Sequence, residues 1–196
     1  MKDIIASRMT HDYAGELVVF LIGMRINKPW RPDLWLPVFS GMPRMLAELS
    51  KDKDSGLLGY RLTIGAGGPF VVQYWSSHEK LYAYASDRDA AHRPAWAAFN
   101  RRVRKAPGAV GIWHETYLVE RAETIYAGMP ISGLAAATAS VPVARRGETA
   151  AERLGVDPAR CLAVEDSPAG VQAAVGAGVG HVVGLTTTWR EDALRD

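Results

Sequence analysis

Cysteine is nearly missing from this chain: Cys161 is the only one in 196 residues. One thiol excludes an internal disulfide framework and any cysteine-cluster metal centre. Excess charge is missing too. Lys and Arg number 23 against 21 Asp and Glu, a formal net charge of +2, which gives no reason to expect nucleic acid as a partner. The basic run "RRVRK" (Arg101 to Lys105) reads as the C-terminal turn of a helix, where cations favour the dipole. Stacking aromatics interleaved with it on an exposed face, which single strands require, are not found. Long hydrophobic runs are also absent. The longest, "ELVVFLIGM", is strand-sized and falls short of the roughly 18 residues that suggest a membrane span. "MKDIIASRMTHD" has an early acid and no small-residue cleavage site after an apolar core, so a secretory leader is not expected and the cytoplasm is the expected location.

What is present suffices for a core. Hydrophobic residues make up 48% and charged residues 22%, the balance of an ordinary globular chain. The texture divides in two. From about Gly15 to Met129 the elements are dense and hold five of the six tryptophans. "ELVVFLIGMRI" reads as a long strand. "PWRPDLWLPVFSGMPRMLAELSKD" reads as a helix with apolar residues at three-to-four spacing, kinked or restarted at Pro43. "LLGYRLTIGAGGPFVVQYWS" is two strands about a glycine-rich turn. "SHEKLYAYASD" and "HRPAWAAFNRRVRK" are helices, and "AVGIWHETYLV" closes as a strand. The order β-α-β-β-α-β is the ferredoxin-like split unit, an α+β fold.

After Met129 the sequence turns small and Ala/Ser/Pro-rich. Residues 130–146 read as a linker. Residues 147–196 then give a short α-β-α-β pattern, which calls for a parallel pair but supplies too few strands to bury one. "CLAVEDSPAGVQAA" (Cys161 to Ala174) places the acidic pair Glu165-Asp166 at a strand end before Ser, Pro and a helix. From Gly147 to Thr188 this resembles haloacid dehalogenase-like hydrolases, where such a pair positions magnesium. The resemblance implies an aspartate nucleophile on an earlier buried strand. "DKDSG" at Asp52 has the letters but follows a helix, and "DRD" at Asp87 fares no better. A magnesium-dependent phosphatase is therefore the weakest of the functional readings, and no cofactor is expected from this truncated fragment.

Strand alternation sorts the first zone into two faces. Val18, Phe20, Ile22 and Met24 of the first strand share an apolar face with Tyr60 and Leu62, with Phe70, Val72 and Tyr74, and with Ile112 and His114. That face should receive the helices. The opposite face collects Arg25, Arg61, Gln73, Trp75, Trp113, Glu115 and Tyr117. So many aromatics on an open face predict a homodimer that encloses a cavity for a small apolar molecule. His114 is expected as a hydrogen-bonded core residue.

"VVFLIGMRINKPW", "WLPVF", "MPRML", "GLLGYRL", "VQYW", "HRPAWAAFNRRVRK" and "VGIWHETYLV" together resemble the "monooxygenase family protein" domain, which is similar to the phenylacetaldoxime dehydratase family. The match spans about Ser7 to Met129, and the domain is set at residues 1–129. It implies half of a dimeric α/β barrel and an activity of monooxygenase or aldoxime-dehydratase-like lyase type. Members of the wider group use no cofactor or bind haem through one histidine. Carried onto this chain, the resemblance makes His92 the haem-iron ligand, with Trp96, Trp75 and Trp113 around the cofactor. Arg25 and Arg61 would hold propionates or a developing anion beside Glu115 and Tyr117. The alternatives stay open: His92 as a helix-start histidine, the arginines as ion-pair partners of Glu115, a non-catalytic barrel that binds an apolar ligand or haem, and a cofactor-free monooxygenase.

Overall fold

The computed structural model describes residues 3–65, 67–87 and 92–194, with the side chains of residues 92–95, 98, 102 and 103 outside the described set. The elements run β1 (Met9–His11), β2 (Leu17–Ile26), α1 (Pro32–Phe39), α2 (Gly41–Lys51), β3 (Leu57–Gly65), β4 (Gly68–Trp75), α3 (His78–Ser86), α4 (His92–Lys105) and β5 (Val110–Val119). There follow α5 (Gly133–Ala137), β6 (Ser140–Pro142), α6 (Ala150–Leu154), β7 (Leu162–Glu165), α7 (Pro168–Gly176), β8 (His181–Gly184) and α8 (Glu191–Leu194). Two compact units result. One takes His11–Glu120 and Ile131–Ser140, the other Met1–Thr10, Arg121–Pro130 and Val141–Asp196. Among the described residues no helix is long and apolar enough to cross a membrane.

The first unit is an antiparallel sheet in the order β3-β4-β2-β5, the ferredoxin-like arrangement expected from β-α-β-β-α-β. Its helices cover one face. The first helical segment divides at Ser40 into α1 and α2. Pro43 explains the break: it lacks an N–H and its ring would collide with the Phe39 carbonyl. Ser77 caps α3 by accepting from the Lys80 N–H at 3.2 Å, and the Glu16 carboxylate accepts from the His78 N–H at 3.1 Å. These contacts satisfy two donors that a helix start leaves open. At the β3–β4 turn Gly68 has φ +142, and a Cβ there would run into the Met24 carbonyl oxygen.

Cross-strand register corrects the expected faces. Val18 stands opposite Trp75, Phe20 opposite Gln73 and Ile22 opposite Val71. Directly opposed residues of an antiparallel pair share a face. Trp75 and Gln73 therefore lie on the helix-covered side, while Phe70, Val72 and Tyr74 lie on the other. Trp75 is fully buried with Val18, Leu49 and Leu81. His114, opposite Ile22, keeps the expected side but is exposed, on the edge strand β5. Its ring lies 5.7 Å from that of Phe20, and it is not a buried core residue.

Residues 130–146 are more than a linker. They fold into α5, β6 and a 3-10 turn at Val143–Arg145, and Leu134, Ala135 and Val143 are buried. α5 packs on β3 at Gly59, where an added Cβ would stand 2.7 Å from Ala137 Cβ. The missing side chain makes room for the helix.

The second unit contains the α-β-α-β order. β7 and β8 are parallel, with Val164 opposite Val183. Thr149 and Glu152 form a reciprocal capping box at the start of α6, and Gly155 closes that helix in the left-handed conformation at φ +63. Ser167 caps α7, accepting from the Gly170 N–H at 3.1 Å. Arg153 is buried against Glu123 at 2.6 Å and donates to the carbonyls of Gly147 and Glu148.

Candidate functional site

Between the helix-covered face of the four-stranded sheet and α1 to α4 lies a cavity of about 250 Å3. The sheet supplies Phe20, Ile22, Met24, Val71 and Ile112, and the helices supply Val38, Met42, Met45, Trp96 and Phe99. Leu62 and Trp96 line it while standing about half exposed, so they form its mouth. Trp96 and Phe99 stack at 5.4 Å between ring centroids, as residues three apart on one helix can. Among the described lining residues Gln73 supplies an amide and Tyr84 a hydroxyl, beside the indole N–H groups of Trp75 and Trp96.

Trp75 Nε1 donates to Gln73 Oε1 at 2.9 Å. The Tyr84 ring is tilted against Trp75 at 6.0 Å. Burial pushes the Tyr84 phenol up to about 12, with Glu48 and Asp87 adding to the shift. At neutral pH this phenol keeps its proton and is no general base.

The residues singled out in the sequence are not brought to one place. Trp75 and Trp96 line the cavity. Arg25, Arg61, Trp113, Glu115 and Tyr117 occupy the opposite face of the sheet, as the register shows. There Trp113 lies 5.8 Å from Phe70, both folded over Gly23, where a Cβ would sit 2.6 Å from Phe70 Cβ. Tyr117 donates to Glu115 Oε2 at 2.7 Å, and that bond raises the Tyr117 pKa. Glu115 thus pairs with Tyr117 rather than with Arg25 or Arg61. The proposed iron ligand, the His92 side chain, lies outside the described residues. Gln73 and Tyr84 were missed as cavity residues. Gln73 was assigned to the wrong face, and Tyr84 lies on a helix whose pattern gives little direction.

Haem does not fit this cavity. An apolar cavity of about 150 Å3 accommodates benzene, and one less than twice that size has no room for a porphyrin. Its described lining includes no imidazole, and Arg25 and Arg61, the expected propionate partners, are across the sheet. In the second unit, Asp166 Oδ2 accepts from Thr188 Oγ1 at 3.2 Å, and the Glu165 carboxylate lies against Gly170. Among the described residues no three His, Cys, Asp or Glu side chains gather as metal ligands.

An antiparallel β-α-β-β-α-β sheet with helices over a cavity on one face is a ferredoxin-like α+β unit. The chain belongs to the monooxygenase af470-like family, which it matches over residues 17–134. No curated protein matches it in sequence. Several solved structures are similar. SnoaB, a cofactor-independent oxygenase from Streptomyces nogalater, is 10% identical, with 55% of this chain and 96% of that one covered and a TM-score of 0.36. An antibiotic biosynthesis monooxygenase, so described provisionally, from Caulobacter crescentus CB15 is 17% identical, covers 53% and 91%, and has a TM-score of 0.38. A dimeric ferredoxin-like protein of unknown function from Jannaschia sp. CCS1 is 13% identical, covers 50% and 97%, and has a TM-score of 0.35.

Proposed function

We propose that the ferredoxin-like unit oxidises a small apolar aromatic molecule with dioxygen, in the cavity and without haem. Family membership supports the reaction class. The observation that carries the substrate class is the lining, whose described side chains are predominantly apolar, with the Gln73 amide and the Tyr84 hydroxyl among them. Neither is a base at neutral pH; in this reading an electron-rich substrate itself supplies the electrons. A phenol converted to a quinone meets that demand: one oxygen atom enters the ring, the other leaves as water, and no external reductant is consumed. An aldoxime-dehydratase-like reaction, as implied by the resemblance, would depend on haem and loses its support with it.

The exposed face bearing Trp113, Glu115 and Tyr117 is assigned to a homodimer contact, since an amphipathic aromatic face of this kind is suited to cover by a second copy. For the second unit, the proposal is a haloacid dehalogenase-like fragment without phosphatase activity. Among the described lining residues none is a base at neutral pH, which also favours a second reading, a non-catalytic carrier of the same molecules.

Oxygen uptake by the full chain with 1-naphthol separates the two. Turnover should place one labelled atom from 18O2 in naphthoquinone. Binding without uptake, across a panel of naphthols and phenols, selects the carrier. A hemin titration that gives a saturable Soret band would overturn the haem-free assignment.

A further inference from the structure

Gln73 is only 5% exposed, yet it sits in the middle of a strand among apolar neighbours. Trp75 Nε1 is a donor and never an acceptor, so it fixes which end of the Gln73 amide is oxygen. With Oε1 accepting that bond at 2.9 Å, the other end is an NH2 group with two donors. It makes no hydrogen bond to any described residue. Nor is it sealed: it remains reachable within a side chain that lines the cavity. A buried amide with unused donors is costly unless something accepts from it. Its β3 neighbour in register, Tyr60, faces the same side of the sheet but is exposed.

We infer that the Gln73 amide nitrogen is the polar handle of the cavity, and that its ligands are apolar ring compounds bearing a carbonyl- or phenolate-type oxygen. Trp75 is the positioning residue that holds the amide in this orientation. The cavity volume, between one and two times that which accommodates benzene, limits the ring system to one or two rings. This assignment rests on the cavity reading above and adds the ligand's polar group to it.

The test uses the full chain and two probes with one skeleton, 1-tetralone and tetralin, with binding followed by tryptophan fluorescence. Gln73→Met should weaken 1-tetralone by about five- to tenfold, the worth of one hydrogen bond, and leave tetralin unchanged. Gln73→Leu, which likewise lacks a donor, should give the same selective loss, and unchanged tetralin binding guards against a fold defect in either variant. The carbonyl stretch of bound 1-tetralone should move to lower wavenumber in the wild type and return in both variants. If both probes bind and both variants treat them alike, the handle is overturned while the cavity reading stands. If neither probe binds the wild type, the cavity reading fails and the handle with it.

Discussion

On the four-stranded sheet Val18 and Trp75 are sealed under helices, at 0% exposure each, whereas on the parallel β7-β8 sheet Leu162 and Val164 stand 62% and 54% exposed. Both sheets are built from apolar strands, and both have helices. They differ in how many layers the chain provides. The first unit sets four helices on one face and α5 on part of the other. The second packs α7 behind β7 and β8, leaving Leu162, Val164, Val183 and Leu185 uncovered. A parallel sheet is normally buried on both faces, so the second unit has the pattern of an α/β domain without its other layer. The sealed sheet also has depth enough for an interior void, and that void is the candidate site.

Side-chain truncation should break this comparison most visibly. Trp75→Ala empties the centre of a cluster with Val18, Leu49 and Leu81 and removes the donor that orients Gln73. Large-to-small changes of this kind cost about 3–5 kcal/mol. Leu162→Ala, on the exposed face, should change stability by less than about 0.5 kcal/mol. Chemical denaturation of both variants checks the pair. Equal losses would mean that Leu162 is covered in solution.

A smaller effect tests whether the segment after Pro130 belongs to the first unit. Gly59→Val places a side chain where Ala137 already stands, with its Cβ 2.7 Å and its Cα 2.8 Å from the new Cβ. α5 must then shift, and overpacking of this kind costs about 1–3 kcal/mol. Amide exchange should show Leu134 to Thr138 losing protection while β2 keeps its own. Unchanged protection in α5 would detach it from the sheet.

The split unit was legible in the sequence because strand runs and turn signals are local. β2 and the β3–β4 hairpin lie where "ELVVFLIGMRI" and "GAGG" put them, and the sheet order follows from the topology. The faces were less legible. Alternation gives two sets in each strand but not which set turns toward the helices, and β4 offers apolar residues on both. "PFVVQYW" reads as Phe70, Val72 and Tyr74 inward, but its pairing with Val18 and Phe20 turns Gln73 and Trp75 inward instead. That inversion moved the candidate site across the sheet. His114 illustrates another limit: its face was right, but a face alone does not show whether a residue on an edge strand is covered. The apparent linker misled because "GLAAA" is short and small, and its burial depends on the space above a distant glycine, Gly59.

The smallest effect is silent at neutral pH and concerns Tyr84, which joins the cavity to the sealed core. Its phenol is raised from 10.0 to about 12, first by burial and then by Glu48 and Asp87. Because the folded state favours the neutral form, the sign follows directly. Below pH 10 the phenol is protonated in both folded and unfolded chains, and its contribution to stability is fully present. Between pH 10 and about 12 the unfolded chain ionises first, so stability falls as pH rises; above that both states are ionised and the loss levels off. Tyr84→Phe should remove this component of the alkaline loss, while Tyr117→Phe, at an exposed hydroxyl bonded to Glu115, should leave most of it. Melting temperatures of the three proteins from pH 8 to 12 provide the measurement. Parallel curves for wild type and Tyr84→Phe would show that water reaches the phenol, and with it the inner wall of the cavity.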